Sequence, residues 1–158
     1  MSHVIEPALT SDFLNVAALD RIAWTAPGGD FIPDGEHVWR IWTEYATVLV
    51  ARVAGDGALE QTEDIAGAVV MFPTQAGETV LHKIMVHPTL RGQGIGGDLM
   101  RAALQRAATT VLLTVDPNND AAIQLYRNFG FDIRERVDGF YRPHEDRYVM
   151  ARPGPSGE

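Results

Sequence analysis

Four glycines stand close together in the segment RGQGIGG, which runs from Arg91 to Gly97. The apolar periodicity after Gly94 predicts a helix, so these glycines lie where a turn leads into a helix start. The first backbone N–H groups of a helix have no carbonyl partner within it, and the helix dipole favours an anion there. Glycine accepts positive φ and places no Cβ between the main chain and a ligand. The segment therefore predicts a phosphate or pyrophosphate site with Arg91 as a fixed positive charge; a plain tight turn is the alternative.

Two known phosphate loops can be compared with this spacing. A nucleoside triphosphate loop, Gly-x-x-x-x-Gly-Lys-Ser/Thr, fits Gly92 and Gly97 but has Asp98 in place of the lysine, and a carboxylate there repels phosphates. A dinucleotide fingerprint, Gly-x-Gly-x-x-Gly, fits Gly92, Gly94 and Gly97, with Asp116 at a suitable distance. Against it, four residues separate the strand from the first glycine, and the roughly forty residues after Asp116 are too few for the rest of a doubly wound sheet. An NAD(P)-binding protein is kept as an alternative function.

The elements that must position this loop follow from the apolar periodicity. The predicted order is β-α-α-β-β-β-α-β-α-β-β, with one strand–helix–strand unit in the middle. Its two strands, at roughly 79–87 and 110–116, are expected to be parallel with a right-handed crossover, and the other pairs to be antiparallel. The predicted fold class is α/β: a mixed, mostly antiparallel sheet of about seven strands with a central parallel pair and flanking helices. We expect a single domain over 1–152 and a flexible C-terminal tail over 153–158.

Composition limits the classes of function. The 158 residues carry a formal net charge of −8, which argues against a nucleic-acid partner because such a protein needs a basic face. We see no apolar run long enough to span a membrane and no signal pattern, so we expect no membrane partner and a cytoplasmic location. Without cysteine there is no disulfide, no thiolate nucleophile and no cysteine-based zinc site. His37, His87 and His144 lack metal-ligand spacing, so no metal is predicted.

Two sequence blocks resemble those of the GCN5-related N-acetyltransferase (GNAT) family. The stretch VHPTLRGQGIG, residues 86–96, matches the signature Arg/Gln-x-x-Gly-x-Gly/Ala that follows a strand ending in Val-x-Pro. A second block, Asn-x-x-Ala-x-x-Leu-Tyr-x-x-x-Gly-Phe, runs from Asn119 to Phe131. The predicted order of strands and helices is also similar over nearly the whole chain. The resemblance implies an enzyme that transfers the acetyl group of acetyl-CoA to a primary amine of a small molecule or a peptide.

The same resemblance implies which residues bind acetyl-CoA. In such proteins the two central parallel strands splay apart, and the pantetheine arm enters between them like an extra strand. Main-chain groups of Ile84, Met85 and Val86 would then pair with the pantetheine and the thioester, and Asn119 would both cap its helix and contact the arm. The pyrophosphate would be held by Arg91 and the main chain of Gly92, Gln93, Gly94, Ile95, Gly96 and Gly97.

Tyr126 is the predicted proton donor of the transfer. A neutral phenol stays protonated at working pH and can hydrogen-bond the departing CoA sulfur, so the resemblance makes Tyr126 both catalytic and cofactor-binding. Helical spacing alone favours a core tyrosine, because Ala122, Leu125, Tyr126 and Phe129 form one apolar stripe. Transfer is expected to be direct, in a ternary complex, since no cysteine can carry the acetyl group.

His82 is the predicted general base for the acceptor amine. It lies on the strand before the loop, where some family members carry a histidine in this role, and histidine titrates in the useful range. A histidine that is merely satisfied within a half-buried strand is an equal alternative. Other members use a glutamate on the next strand, where this chain has Thr114. A water chain from Asp116, or an amine that arrives deprotonated, therefore stays open.

The acceptor site is expected near the first two helices and the loop between the last strands. Candidate substrate-binding residues there are Trp24, Glu36, Trp39 and Tyr141. Acidic and aromatic side chains can receive an ammonium group through charge and cation–π contacts. Core tryptophans beside a solvated loop are the alternative. A non-catalytic acyl-CoA sensor with the same fold, and the choice between monomer and homodimer, also stay open.

Overall fold

Strands and helices follow one another along the chain in the predicted order. The computed structural model describes residues 2–24, 32–55 and 58–155. Its strands are β1 (His3–Pro7), β2 (Thr47–Val53), β3 (Ile65–Pro73), β4 (Thr79–Val86), β5 (Val111–Val115), β6 (Asp132–Val137) and β7 (Arg147–Arg152). Its helices are α1 (Phe13–Ala23), α2 (Glu36–Tyr45), α3 (Ile95–Arg106) and α4 (Asp120–Asn128). None of the helices in these ranges is long and apolar enough to cross a membrane.

The strands form a mixed sheet in the order β1-β2-β3-β4-β5-β7-β6. β4 and β5 are parallel, with Thr79 opposite Val111 and Val80 opposite Leu112. The pairs β1–β2, β2–β3, β5–β7 and β6–β7 are antiparallel. The predicted fold class, with its central parallel pair, is confirmed.

The described chain contains two compact units. They comprise Met1–Met71 with Lys83–Gln105, and Phe72–His82 with Arg106–Glu158. Each unit is described by itself below. The single domain over 1–152 stays a prediction, and residues 156–158 of the predicted tail lie outside the described residues.

Apolar residues of α1, α2, α3 and the strands β2 and β3 form the core of the first unit. The largest fully buried side chains of this unit are Trp39, Leu19, Leu49, Ile65, Ile95, Leu99 and Met100. In α3 the buried residues Ile95 and Leu99 are four positions apart, which places them on one face of the helix. That face packs against β3 at Gly67, where an added Cβ would lie only 2.9 Å from Leu99 Cδ1 and 2.9 Å from Met85 O. Glycine is therefore required for the start of α3 to reach the sheet.

Arg52 on β2 joins three carboxylates of the first unit. Its guanidinium lies 2.5 Å from Glu6 Oε1, 2.8 Å from Asp12 Oδ2 and 3.2 Å from Asp64 Oδ2. Hydrogen bonding to Asp12, more than to the other two, raises the pKa of Arg52 above its usual range. The cation therefore ties β1, the turn before α1 and the β2–β3 connection together.

The core of the second unit lies between α4 and the strands β5 and β7. Its buried side chains include Val111, Leu113, Val115, Ile123, Phe131 and Met150. The predicted apolar stripe of α4 is wrong at Leu125, whose side chain is 50% exposed. α4 turns Ile123 toward the core, and a residue two positions later lies roughly 200° further around a helix, on the solvent side.

We expect Gly67→Ala to lower the free energy of unfolding by about 1–3 kcal/mol, because the new methyl group meets a backbone oxygen that cannot move away. Urea denaturation measures this. Gly96→Ala is the matched control: its Cβ meets only Val86 Cγ2, at 3.6 Å, and lies inside α3, where alanine is favoured over glycine. Equal unfolding midpoints for the two variants would contradict the close packing of α3 on β3.

Candidate active site

The glycine segment forms an open turn at the start of α3. Gly92 and Gly94 have φ values of +80° and +84°, a region that residues with a Cβ rarely adopt. Helix α3 begins at Ile95, and Asp98 N–H donates to Gly94 O at 3.0 Å. The N–H groups of the three residues before Asp98 therefore point out of the helix end. A Cβ added at Gly92 or Gly94 meets no described atom within 4 Å, so the space beside the loop is open.

The predicted loop residues with side chains differ in their surroundings. Ile95 is buried in the core of the first unit, so only its main chain can face a ligand at the loop. Gln93 is exposed. Arg91 Nη2 donates to the carbonyl oxygen of Ala23, the last residue of α1. In this structure Arg91 thus links the loop to α1, and its contact with a phosphate stays a prediction.

Asp98, in the first turn of α3, is held by two basic side chains. Arg101 Nη2 lies 2.6 Å from Asp98 Oδ1, and His3 Nε2 lies 2.7 Å from Asp98 Oδ2. Hydrogen bonding to Arg101, and then to His3, lowers the pKa of Asp98 below its usual range. The Arg101 guanidinium compensates a negative charge that would otherwise oppose an anion at the helix start, and His3 adds a hydrogen bond.

His87 fixes the turn that precedes the glycines. Its side chain is almost fully buried, and its main-chain N–H donates to Ala66 O of β3 at 2.7 Å. Ring atom Nδ1 accepts from Thr89 N at 3.3 Å and lies 2.9 Å from Thr89 Oγ1, which requires Nε2 to carry the hydrogen and donate to Glu60 O at 3.1 Å. From its sequence spacing, His87 was considered only as a metal ligand. Its position between a strand and a proline was the available sign of a turn-fixing role.

The residues predicted to pair with the pantetheine arm lie on the last part of β4. The residues that pair it with β5 end at Val80, although the strand continues to Val86. Along this part the side chains alternate, with Met85 buried and Ile84 and Val86 half-buried. Main-chain groups of Ile84, Met85 and Val86 therefore lie on a strand that extends past its β5 register.

Tyr126 is placed by the C-terminal end of α4. Gly130 has φ +95°, its N–H donates to Arg127 O at 3.0 Å, and Phe131 N–H donates to Tyr126 O at 3.1 Å. This is the hydrogen-bond pattern that closes a helix with glycine. The rings of Tyr126 and Phe131 are 6.1 Å apart, edge to face. Burial raises the pKa of Tyr126, so its phenol stays protonated at neutral pH.

Asn119 caps the other end of α4. Its Oδ1 accepts from Ala122 N at 3.1 Å, which confirms the predicted cap. The residue is exposed, and its contact with a CoA arm stays a prediction. Asp116, also exposed, uses Oδ1 to accept from Asn118 N at 2.9 Å.

His82 is exposed on β4, and its ring lies 5.9 Å from that of Phe72 on β3. Thr114, on β5, is also exposed. The structure thus gives His82 an accessible ring, and its role as a base stays a prediction. In the described ranges, no three His, Asp or Glu side chains are grouped to hold a metal ion.

The predicted acceptor residues of the first unit differ in burial. Trp24 is 40% exposed and donates its indole N–H to Asp20 Oδ1 at 3.2 Å. Trp39 is fully buried and donates to Asp20 Oδ2 at 3.0 Å. Glu36 is exposed, and its Oε2 lies 3.9 Å from Arg21 Nη1. Trp39 therefore shares its buried partner, Asp20, with the exposed Trp24. A direct contact of Trp39 with substrate stays a prediction.

Tyr141 belongs to an exposed aromatic pair in the β6–β7 loop of the second unit. Its ring lies 4.8 Å from that of Phe140, edge to face. The guanidinium of Arg147 lies 5.1 Å from the ring centre of Tyr141. The cation at the Tyr141 ring is thus the protein's own, and contact between Tyr141 and a substrate ammonium group stays a prediction.

Sequence reasoning missed the most buried charges of the first unit. Lys83 Nζ lies 2.9 Å from Asp20 Oδ1 and 2.8 Å from Asp34 Oδ2, and the side chain of Asp20 has no exposed surface. The available sign was a lysine inside the apolar strand TVLHKIMV, the only lysine in the chain. Of the predicted residues, the first unit contains the glycine loop, Trp24, Glu36, Trp39 and the end of β4; the second contains His82, Asn119, Tyr126 and Tyr141.

Comparison with known proteins decides the family. Residues 16–131 match the family model described as the acetyltransferase (GNAT) family, and this range includes the glycine loop and Tyr126. The chain belongs to the GNAT family. Both sequence blocks that carried the resemblance lie within the matched range.

Individual GNAT proteins show the same likeness. The N-alpha-acetyltransferase RimI of Mycobacterium tuberculosis is 39% identical over 92 residues, which are 55% of this chain and 56% of that protein. The fold is similar to that of the ribosomal-protein-S18-alanine N-acetyltransferase from Escherichia coli, with a TM-score of 0.77, 22% identity and coverage of 96% of this chain and 94% of that one. It is also similar to a chain in the NatC complex bound to Gag peptide and CoA, with a TM-score of 0.73, 22% identity, and coverage of 97% and 99%. The matches to curated relatives span 16% to 66% of those proteins' own lengths.

Proposed function

We propose that this GNAT protein is an acetyl-CoA-dependent N-acetyltransferase. The observation that carries the proposal is the open main-chain turn at the start of α3, with Gly92 and Gly94 at positive φ and no described atom within 4 Å of where their Cβ atoms would lie. Such a turn suits the pyrophosphate of coenzyme A, because its N–H groups and the helix dipole both favour an anion. Main-chain groups of Ile84, Met85 and Val86 on β4 would pair with the pantetheine arm.

Two side chains would move protons during transfer. Acetyl-CoA supplies an acetyl group activated as a thioester. His82 would take a proton from the acceptor amine, since its ring is exposed and a neutral imidazole has one nitrogen that can accept a proton. Tyr126 would give a proton to the sulfur that leaves, because burial keeps its phenol protonated. The chain has no cysteine, so transfer would be direct, in a ternary complex.

We propose the α-amine of a peptide or protein N-terminus as the acceptor. Support comes from the relative named N-alpha-acetyltransferase RimI. An α-amine has a pKa of about 7.7–8.0, against roughly 10.4 for lysine, so a sizeable fraction is deprotonated at neutral pH. Such an acceptor needs only a weak base, which suits a chain with Thr114 where other members have glutamate. Trp24 and Glu36 of the first unit would contact the peptide, and Tyr141 of the second unit stays a separate candidate contact.

Coenzyme A and acetyl-CoA should raise the melting temperature of the protein, whereas NADPH should not.

Gly94→Ala should weaken CoA binding by about tenfold or more, because the methyl group enters the space proposed for the pyrophosphate. Gly77→Ala is the matched control. It has φ +85° and open space around it, so it costs the same backbone strain of about 1–2 kcal/mol but lies in the β3–β4 turn. Stabilisation by NADPH alone would support a dinucleotide-binding protein instead.

Release of CoA should be fastest with an unblocked peptide that begins with alanine. A comparison peptide with an acetylated N-terminus and one internal lysine should react slowly, because its lysine amine is mostly protonated at pH 7.5. Spermidine tests small polyamines. Preference for spermidine would replace the peptide acceptor, and CoA binding without turnover of any amine would support the acyl-CoA sensor.

Tyr126→Phe should lower kcat by about 100-fold or more while leaving the KM for acetyl-CoA unchanged. A proton donor must be protonated to act, so activity falls as pH rises through its pKa. Since burial raises the pKa of Tyr126, the wild-type alkaline limit should lie above pH 10, and the variant should lose that limit. Tyr45→Phe, at a 78% exposed position, is the control and should match wild type. A wild-type rate for Tyr126→Phe would remove the phenol from the mechanism.

A further inference from the structure

The only lysine of the chain is buried in an ionic cluster of the first unit. Lys83 lies on β4 between His82 and Ile84, and its side chain is 7% exposed. Its Nζ donates to both oxygens of Asp20, at 2.9 and 3.0 Å, and to Asp34 Oδ2 at 2.8 Å. The twelve other basic residues are all arginine. An ammonium is a compact charge with three donors, which matches the three carboxylate oxygens at these distances.

Asp20 gathers the segments around it. Besides Lys83, its oxygens accept from the indole N–H of Trp24 at 3.2 Å, the indole N–H of Trp39 at 3.0 Å and the main-chain N–H of Asp34 at 2.9 Å. Trp24 directly follows the last residue of α1, Trp39 lies within α2, and Asp34 lies just before α2. One fully buried carboxylate thus joins both helices and the approach to α2 to a single residue of β4.

A cluster of this kind is not explained by stability alone. Removing charges from water costs about as much as a buried ion pair returns, so an apolar replacement of the whole pair is often neutral or stabilising. Removing one partner is costly, because the other charge is left buried and unpaired. What the cluster does provide is a fixed arrangement. Each group that donates to Asp20 must lie at hydrogen-bond distance from its oxygens and point toward them.

We propose that Lys83 and Asp20 are positioning residues for acceptor binding. Through Asp20 they fix the exposed indole of Trp24 and the start of α2 to Lys83 of β4. Lys83 is next in sequence to His82 and to Ile84, whose main chain is proposed to bind the thioester. The inference rests on the proposed function, in which α1 and α2 border the acceptor. The cofactor loop lies outside the cluster, so loss of the cluster should weaken binding of the acceptor and spare coenzyme A.

The kinetic test uses the alanine-initiated peptide and acetyl-CoA. Lys83→Met and Asp20→Asn should raise the KM for the peptide by about tenfold or more, with the KM for acetyl-CoA within roughly twofold of wild type. Asp34→Asn is the milder variant, since it keeps the main-chain bond to Asp20 and loses only the charge beside Lys83. It should also raise the KM for the peptide, so the test stands even if one of the other two variants fails to fold.

Arg52→Met is the matched control. It also removes one cation from three carboxylates of the first unit, but none of those carboxylates contacts Trp24 or Trp39 in the described hydrogen bonds. It should lower stability without changing the ratio of the two KM values. An equal rise in peptide KM for Arg52→Met and Lys83→Met would overturn the positioning role and leave a general loss of stability.

A second measurement does not depend on turnover. Because the chain has a single lysine, an N-hydroxysuccinimide acetate reagent can modify only Lys83 and the N-terminal amine among its amines. In native wild type, mass spectrometry should show Lys83 modified at least about 100-fold more slowly than in urea. Asp20→Asn should remove most of that protection, and Arg52→Met should keep it. Rapid native labelling of Lys83 would overturn the cluster itself; intact protection together with no turnover of any amine would overturn only the proposed function.

Discussion

The packing of the first turn of α3 on β3 is the constraint on which the candidate site depends. Gly67 leaves no room for a side chain between Ile95, Leu99 and the main chain of β4. With Ile95 buried, the start of the helix is set at a fixed depth, and the N–H groups before Asp98 must face away from the core. The positive φ values of Gly92 and Gly94 then follow, because the chain has to enter the helix without covering that end.

Neighbouring interactions keep this helix start usable by an anion. His87 holds the preceding turn through hydrogen bonds on both ring nitrogens. Arg101 pairs with the one carboxylate of the first turn, Asp98, and His3 forms a hydrogen bond with it. An uncompensated charge at that point would cancel part of the field that the helix dipole provides. The loop is therefore prepared by residues that lie outside the glycine pattern.

Local patterns predicted the fold well because local physics determines them. The apolar alternation of β4, the glycines before α3 and Gly130 after α4 each act on their own neighbours, and each was readable from the sequence. Contacts between distant residues were not readable. Trp39 was predicted at a substrate surface and is fully buried, because its indole N–H reaches Asp20, nineteen positions earlier. Lys83 and Asp20 are 63 positions apart, and no periodicity connects them. Leu125 was placed in the core by an apolar pattern that did not specify which face of α4 is covered.

Both family blocks act through helix ends, which explains their internal spacing. In the first block, glycines expose the N-terminal end of α3. In the second, Asn119 closes the start of α4 and Gly130 closes its end, eleven positions later. The closing bond runs from Phe131 N–H to the carbonyl oxygen of Tyr126, so the residue proposed as proton donor is the same one whose main chain completes the cap. A phenol at that position has its backbone fixed by the cap and its ring placed against Phe131. The four-residue interval between tyrosine and glycine is therefore a requirement of helix termination, and the placement of the phenol follows from it.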